Sequence, residues 1–484
     1  MSITTTIAVS GAHVLVYPYP AAGHIIPILD LTHYLLSRGL TVTLLLIPCN
    51  LNLLHSFRLS HQTTQLNELI LPAPDPSPPG PTLPIGPIVN MKYFRAHHYP
   101  LLLQQFKSHP WTINPPTAII ADFFLGWTNQ LASEMSIRHV LFSPSGAFGI
   151  SVATSLWRDE PPFPINDQEI ITFPTVPNSP SYPWRQISFI YRMLQKGNPD
   201  REIFRDCFLA NLSSWGTVIN TFARIEKPYI DHLKRESSSH GRVWAVGPLL
   251  RPPSSGGGGG NSDRGGASSI PSDQIITWLD SRSERSVVYI CFGSRTSLTE
   301  EQLKRLSAAL EKRTGVSFVW CVRQSTEAGS ALLPEEFDTR VSGRGLVIRG
   351  WAPQVEILRH KAVGAFLTHC GWNSTMEGLT AGVVMLTWPM GADQYSNAQL
   401  LVDQLRVGIR VGEDTEVIPD EKELGRVLEE AVAKGGMWWK RERAKELRTA
   451  ARDAVVEGGS SFKDLDEFVE KINGKTTNSV LHRD

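Results

Sequence analysis

The sequence predicts an α/β protein built from two doubly wound domains that face each other across a cleft. Three observations carry this. Short apolar runs alternate with amphipathic helical stretches in both halves, which implies parallel sheets covered by helices on both faces. A Pro-Pro-Ser-Ser-Gly-rich segment over residues 252–269 interrupts that rhythm midway and is too poor in apolar residues to order itself. The chain's 484 residues also exceed what one hydrophobic core fills.

Taken in order, residues 13–17 (HVLVY) read as a first strand, followed by a Pro/Gly-rich turn and a periodic apolar stretch over 25–37 that reads as a helix. A second strand over 41–47 follows the stop at Gly39, and the same rhythm returns at 118–121, 139–142 and 217–220. Beyond the Gly/Ser-rich segment, strands are expected at 286–291, 317–322, 346–349, 365–368 and 383–387. Charged amphipathic stretches at 437–457 and 462–472 read as closing helices. The organisation expected is a first domain over 1–250, a linker over 251–270 and a second domain over 271–457. A final helix over about 458–473 packs back on the first domain. The proline-rich stretch 71–87 reads as a surface loop.

Composition narrows the function classes. Hydrophobic content of 41% and charged content of 19% fit a folded globular chain. Lys+Arg 47 against Asp+Glu 47 leaves no net field to gather polyanions, so nucleic acid is not an expected partner. Five scattered cysteines (Cys49, Cys207, Cys291, Cys321, Cys370) form no C-x-x-C pair, which points away from a disulfide framework or zinc site and towards a reducing compartment. The first ten residues lack Lys and Arg, and Pro18 and Pro20 break the apolar stretch that follows, unlike a signal peptide. The apolar runs are far short of a membrane span. A cytosolic monomer with no membrane segment is the expectation.

The most informative segment runs from Trp351 to Gln394. Inside it a buried strand leads into His369-Cys-Gly-Trp-Asn-Ser374 and then a helix beginning near Asn373. A helix N-terminus after a strand offers unpaired backbone N–H groups and a positive dipole end, both suited to a diphosphate. Gly371 lets the backbone come close, Asn373 and Ser374 add donors, and His369 is placed to donate to a phosphate oxygen. Glu377, one turn on, can accept from ribose hydroxyls.

The combination W-x-P-Q, H-C-G-W-N-S, E and D-Q resembles the signature box of plant family 1 UDP-glycosyltransferases, and the likeness extends over essentially the whole chain. It implies the GT-B fold, with the domain over 1–250 binding the acceptor and that over 271–457 the donor, an inverting transfer from a UDP-sugar co-substrate, and no permanently bound cofactor or metal. Residue by residue it implies that Trp351 stacks on uracil, with Ala352 and Gln354 at the same end. His369, Gly371, Asn373 and Ser374 would hold the diphosphate, and Glu377 the ribose. Trp372, Asp393 and Gln394 would face the sugar, the last pair as a hexose reader. A terminal glutamine together with Trp372 points to UDP-glucose. Phe292-Gly293-Ser294 resembles the family's phosphate loop, with Arg295 standing where a small or neutral residue is expected.

The transfer needs a base near neutral pH to take the acceptor's proton, and histidine suits this. His24 leaves the first strand in the P-x-P-x-x-G-H-x-x-P pattern that resembles the family's N-terminal motif. Asp122, at a neighbouring strand end, resembles its partner aspartate, so the two are expected within hydrogen-bond reach. Acceptor candidates are Phe123, Phe124, Phe148 and Ile190, with the segments 92–99, 145–148 and 187–194, and a flat phenolic or flavonoid acceptor is implied, with transfer to a hydroxyl, or alternatively to a carbon or from another UDP-sugar. Asp464-Leu-Asp466 spells D-x-D but falls on a helix, where it reads as solvated surface. A dehydrogenase should show G-x-G-x-x-G after the first strand, where this chain has PYPAAGH. A non-catalytic UDP-sugar sensor would need neither His24 nor Asp122.

Overall fold

A computed structural model describes residues 11–61, 63–74, 86–251, 268–323, 333–414 and 416–474. Most of the expected linker and most of the proline-rich loop lie outside the described residues, as does the N-terminal decapeptide.

Among the described residues nine strands precede the linker: β1 (His13–Tyr17), β2 (Thr41–Leu46), β3 (Leu66–Ile70), β4 (Pro116–Asp122), β5 (Arg138–Ser143), β6 (Ile170–Thr172), β7 (Ser181–Pro183), β8 (Gly216–Ile219) and β9 (Val243–Ala245). Seven of them form a parallel sheet in the order β3-β2-β1-β4-β5-β8-β9, and β6 and β7 make a separate antiparallel hairpin. After the linker, β10 (Val287–Cys291), β11 (Ser317–Val322), β12 (Gly345–Arg349), β13 (Val363–Thr368), β14 (Val384–Thr387) and β15 (Gly408–Arg410) form a second parallel sheet, order β12-β11-β10-β13-β14-β15. Both sheets reverse direction of growth beside their first strand, which opens a crevice at the carboxyl ends.

The apolar strands read as continuous because both of their faces are covered. Leu15 and Tyr17 of β1 join the core on one side of the first sheet, and Val14 and Val16 join that on the other. In β10, Tyr289 and Cys291 face the core that runs between the two sheets, whereas Val288 and Ile290 face outward helices. The sequence pattern does not mark the hairpin strands β6 and β7, or β3, β9 and β15, which are edge strands; β3 is only partly buried along its length. Edge strands lose the apolar run that marks a central one.

Helix α1 (Ala22–Ser37) begins earlier than the apolar periodicity indicates, so His24 sits in its first turn and not on a loop. Pro27 lies inside the helix. Lacking an N–H, it leaves the Gly23 carbonyl without its usual i+4 partner.

The C-terminal helix Ser460–Ile472 returns to the first sheet. Leu465, Phe468, Val469 and Ile472 join the core under β1, β2 and β4, and the Phe468 ring meets Trp244 with centroids 5.1 Å apart. The D-x-D reading as solvated surface is corrected here. Asp464 accepts from the Ala245 backbone N–H at 2.8 Å, and Asp466 pairs with Arg38 at 2.7 Å, so the two carboxylates are docking groups for this helix. Their i, i+2 spacing sends them to different partners, as helix geometry requires. Arg138 donates to the carbonyls of Lys471 and Ile472 and closes the helix end. Phe468→Ala should lower stability by about 3–5 kcal/mol, read as a fall in the urea midpoint; an unchanged midpoint would mean that this helix adds nothing to the core.

Candidate active site

One cavity of about 1360 Å³ separates the two sheets and is lined from both sides. Its walls are the segments that leave the carboxyl ends of β1, β4 and β5 and of β10, β13 and β14.

On the first wall, His24 Nδ1 lies 2.8 Å from Asp122 Oδ2. Asp122 is fully buried, and its second oxygen accepts from the Phe124 backbone N–H at 3.0 Å. The His24 ring is stacked on Phe124 (5.3 Å) and meets Tyr19 (5.2 Å) and Phe123 (5.5 Å) edge-on. With Nδ1 engaged by a carboxylate, Nε2 is the nitrogen left to face the cavity.

On the opposite wall, the helix Trp372–Ala381 starts at Gly371, directly after the β13 strand and its turn. Its first-turn N–H groups have no intrahelical partners. The His369 ring is wedged between two glycines: a Cβ on either Gly293 or Gly371 would stand 2.5 Å from its Nε2. Gly293 in addition holds a left-handed φ of +78°. Burial pushes His369 down to about 4, so it is a neutral imidazole at neutral pH, and its Nδ1 has no hydrogen-bond partner among the described residues.

Farther along this wall Gln354 organises the end of the cavity beside Trp351 and Ala352. It donates to Ser374 Oγ at 3.1 Å and to Glu377 Oε2 at 2.5 Å, and accepts from the Tyr289 hydroxyl at 3.2 Å. Trp351, Ala352 and Ser294 all line the cavity. Near its centre Asp393 accepts from Ser145 Oγ of the first domain at 2.5 Å and from Asn397 at 3.1 Å. Gln394 accepts from the backbone N–H groups of Met390 and Gly391, which leaves its amide NH₂ for the cavity.

Two side chains in the signature segment also bridge the domains. Trp372 is buried, and its indole N–H donates to the Asn220 carbonyl at 2.7 Å. Asn373 Nδ2 donates at 3.0 Å to the Gly23 carbonyl, the group that Pro27 leaves without a helical partner. The amide read as a diphosphate donor therefore already ties the two helix starts together, beside His24.

The aromatic candidates divide. Phe123, Phe124 and Ile190 line the cavity. Phe148 does not: it is buried against Tyr229, centroids 4.3 Å apart, because helix periodicity turns Gly149, Val152, Ala153 and Leu156 to the cavity instead. The segment 92–99 also lies off the cavity, with Phe94 and His98 packed on Tyr17. Phe204 and Phe208, an i, i+4 pair on the helix Pro199–Leu209, were not read from the sequence and do line it; that spacing was the available signal.

Glu226 was also missed. It is fully buried and accepts from the backbone N–H groups of Ala147 and Phe148 and from the Thr221 hydroxyl. It thereby caps the helix Ala147–Asp159 and fixes the Ser145–Gly146 turn that reaches Asp393 and Trp372. Burial pushes its carboxyl up to about 7, against the hydrogen bonds that favour its charge.

The described residues contain no group of three or more His, Cys, Asp or Glu placed to hold a metal ion, and no helix among them is long and apolar enough to cross a membrane.

Two doubly wound sheets with a helix N-terminus facing a histidine–carboxylate pair define a two-domain transferase scaffold with a site for a phosphorylated donor. Known proteins agree. The family described as UDP-glucoronosyl and UDP-glucosyl transferase matches residues 267–415. UDP-glycosyltransferase 89B2 of Stevia rebaudiana is 47% identical, with 96% of this chain and 98% of that protein covered. Flavonol 3-O-glucosyltransferase UGT89B1 of Arabidopsis thaliana is 46% identical over 95% of this chain and 96% of its own. The crystal structure of Arabidopsis thaliana UGT89C1 complexed with UDP-L-rhamnose superimposes with a TM-score of 0.76 at 38% identity, covering 96% and 99% of the two chains. The same protein complexed with quercetin gives 0.75 at 37% identity, covering 96% and 100%. The chain belongs to the UDP-glycosyltransferase family, and its architecture is GT-B.

Two predictions follow from the packing of this site. The backbone of Gly371 (φ −57°) is open to any residue, so Gly371→Ala acts only by pressing on His369. UDP affinity should fall roughly tenfold, the scale of a modest overpacking cost, measured by calorimetry; wild-type affinity would show that the ring is not held by this glycine. For Glu226, a folded-state value near 7 against an ordinary 4.5 means that the folded chain binds the proton more tightly. Its contribution to stability is full below about 4.5 and is lost as pH rises through about 7, by up to about 3 kcal/mol. Thermal midpoints taken from pH 5 to 8 should therefore fall more steeply in the wild type than in Glu226→Gln, and parallel curves would refute the assignment.

Proposed function

We propose that the chain transfers glucose from UDP-glucose to a hydroxyl of a flavonoid or related phenol by one inverting displacement, with His24 as general base and Asp122 as its partner. The observation that carries this reading is the 2.8 Å contact between His24 and Asp122 across the cavity from the helix start at Gly371. Asp122 accepts from Nδ1–H, fixes the tautomer and offsets the charge that the imidazole acquires. The acceptor's O–H proton passes to Nε2, the new C1–O bond forms, and the bond from C1 to the diphosphate oxygen breaks as UDP leaves. First-turn N–H groups of the helix Trp372–Ala381, with neutral His369, would stabilise the departing charge. Base and leaving group on opposite walls would put the nucleophile behind the anomeric carbon, which supports inversion.

At the nucleotide end, Trp351 offers a face for uracil, and Gln354 and Glu377, linked to each other, would read the ribose edge. Asp393 and the free amide of Gln394 would read the hexose. Glucose is favoured by that glutamine and by the relatives named as glucosyltransferases; the UGT89C1 complex with UDP-L-rhamnose makes rhamnose the second reading. A flavonoid-type acceptor is supported by Phe123, Phe124, Phe204 and Phe208 on the cavity wall and by the quercetin complex of UGT89C1. The five free cysteines accord with a reducing, cytosolic setting.

His24→Ala should lower kcat by about 10²–10⁴-fold with UDP affinity changed less than about threefold, since the base touches the acceptor and not the nucleotide. Equal loss of both would contradict the role. Incubation with flavonols and UDP-glucose or UDP-L-rhamnose, with products resolved by mass and NMR, decides donor and anomer; a product retaining the donor's configuration would sink the single-displacement mechanism.

A further inference from the structure

Two cysteines meet in the wall of the cleft and take no part in the chemistry above. Cys291 ends β10, Cys321 lies near the end of β11, and the parallel register places them directly opposite each other. Adjacent strands run about 4.7–4.9 Å apart, inside the Cα separation of roughly 4.4–6.8 Å that a disulfide spans. Both side chains leave the sheet on the face shared with Tyr289 and Val319, and both line the cavity. Each thiol is the other's strongest electrostatic neighbour, which draws Cys291 below its ordinary value and holds Cys321 above it. Cys321 Sγ also donates to the Gly350 carbonyl at 3.4 Å. Cys49, Cys207 and Cys370 are free as well, but no such facing pair includes them.

We propose that Cys291 and Cys321 form an oxidation-sensitive dithiol that a peroxide converts to a disulfide, and that the disulfide loosens the nucleotide end of the cleft. The Cys291 thiolate attacks one peroxide oxygen, the O–O bond breaks, and hydroxide leaves to give a sulfenic acid. The Cys321 sulfur then attacks that sulfur, forming S–S and releasing the oxygen as water. Two thiols and one hydrogen peroxide thus give one disulfide and two waters. The peroxide is reduced.

The second part of the proposal rests on the UDP site described above; the first does not. A disulfide needs Cβ atoms about 3.8 Å apart, closer than neighbouring strands hold them. Closing that gap pulls on the end of β10, which runs straight into Phe292-Gly293-Ser294. It also removes the S–H that holds Gly350, the residue before Trp351. Both segments line the same end of the cavity.

The full-length chain, reduced and then exposed to hydrogen peroxide, is digested with trypsin without reductant. Cleavage after Arg285, Arg295, Arg313 and Arg323 isolates each cysteine in its own peptide. A joined pair of residues 286–295 and 314–323, two hydrogens lighter than the sum, is expected. It should vanish with dithiothreitol, be missing from Cys291→Ser and Cys321→Ser, persist in Cys49→Ser, and form more slowly under saturating UDP. The oxidised protein should bind UDP about tenfold more weakly, reversibly. If both cysteines are instead oxidised singly and no joined pair forms, the dithiol proposal is overturned. A joined pair with unchanged UDP affinity overturns its effect on the nucleotide end. A joined pair in a chain that fails to bind UDP even when reduced upholds the dithiol and overturns the nucleotide site.

Discussion

The site depends on two helix starts being held face to face. One carries His24 in its first turn, the other begins at Gly371, and the hydrogen bond from Asn373 to the Gly23 carbonyl joins them. That carbonyl is available because Pro27 cannot donate to it. A residue that weakens a helix in isolation therefore frees the acceptor that ties the two domains together beside His24. Trp372 to Asn220 and Ser145 to Asp393 repeat the device within the same cavity. Farther out, Tyr182 of β7 reaches Ser396 and Gln399, and Arg185 pairs with Asp414.

Several polar groups in the cavity are each held by a second one behind them. Asp122 accepts from a backbone N–H as well as from His24, Gln354 is fixed by Tyr289 before it meets Glu377, and Gln394 spends its carbonyl on two backbone donors. Such groups need little reorganisation when charge develops, which is where electrostatic catalysis gains most. Burial adds to this by keeping His369 neutral, so that the wall around the helix start at Gly371 carries helix-end dipoles in place of a full imidazolium charge.

Much of this was legible because the relevant signals are local. The strands β1, β4, β5, β10, β11 and β13 are apolar runs bounded by turn residues, and the segment from Trp351 to Gln394 is contiguous, so its strand, turn and helix could be placed without knowing the fold. Residues whose importance comes from distant contacts were not legible. Glu226 is an ordinary acidic residue on an amphipathic helix until the fold sets it under the N–H groups of Ala147 and Phe148. Phe148 looked like cavity lining because its neighbours are, yet the helix phase turned it to Tyr229. Asp464 and Asp466 looked solvated because helical charge usually is, yet one meets a strand edge and the other Arg38.

By itself, the sequence determined the class of fold and the family, since alternating strand and helix patterns and one unbroken motif are encoded in neighbouring residues. Only the tertiary structure decided which atoms meet across the cleft: the Asn373 amide on Gly23, the Ser145 hydroxyl on Asp393, the Cys291 thiol opposite Cys321. The physical reason is range. Periodicity and turn chemistry act within a few residues, whereas these contacts join segments up to hundreds of positions apart, and strand order and helix phase alone bring them together.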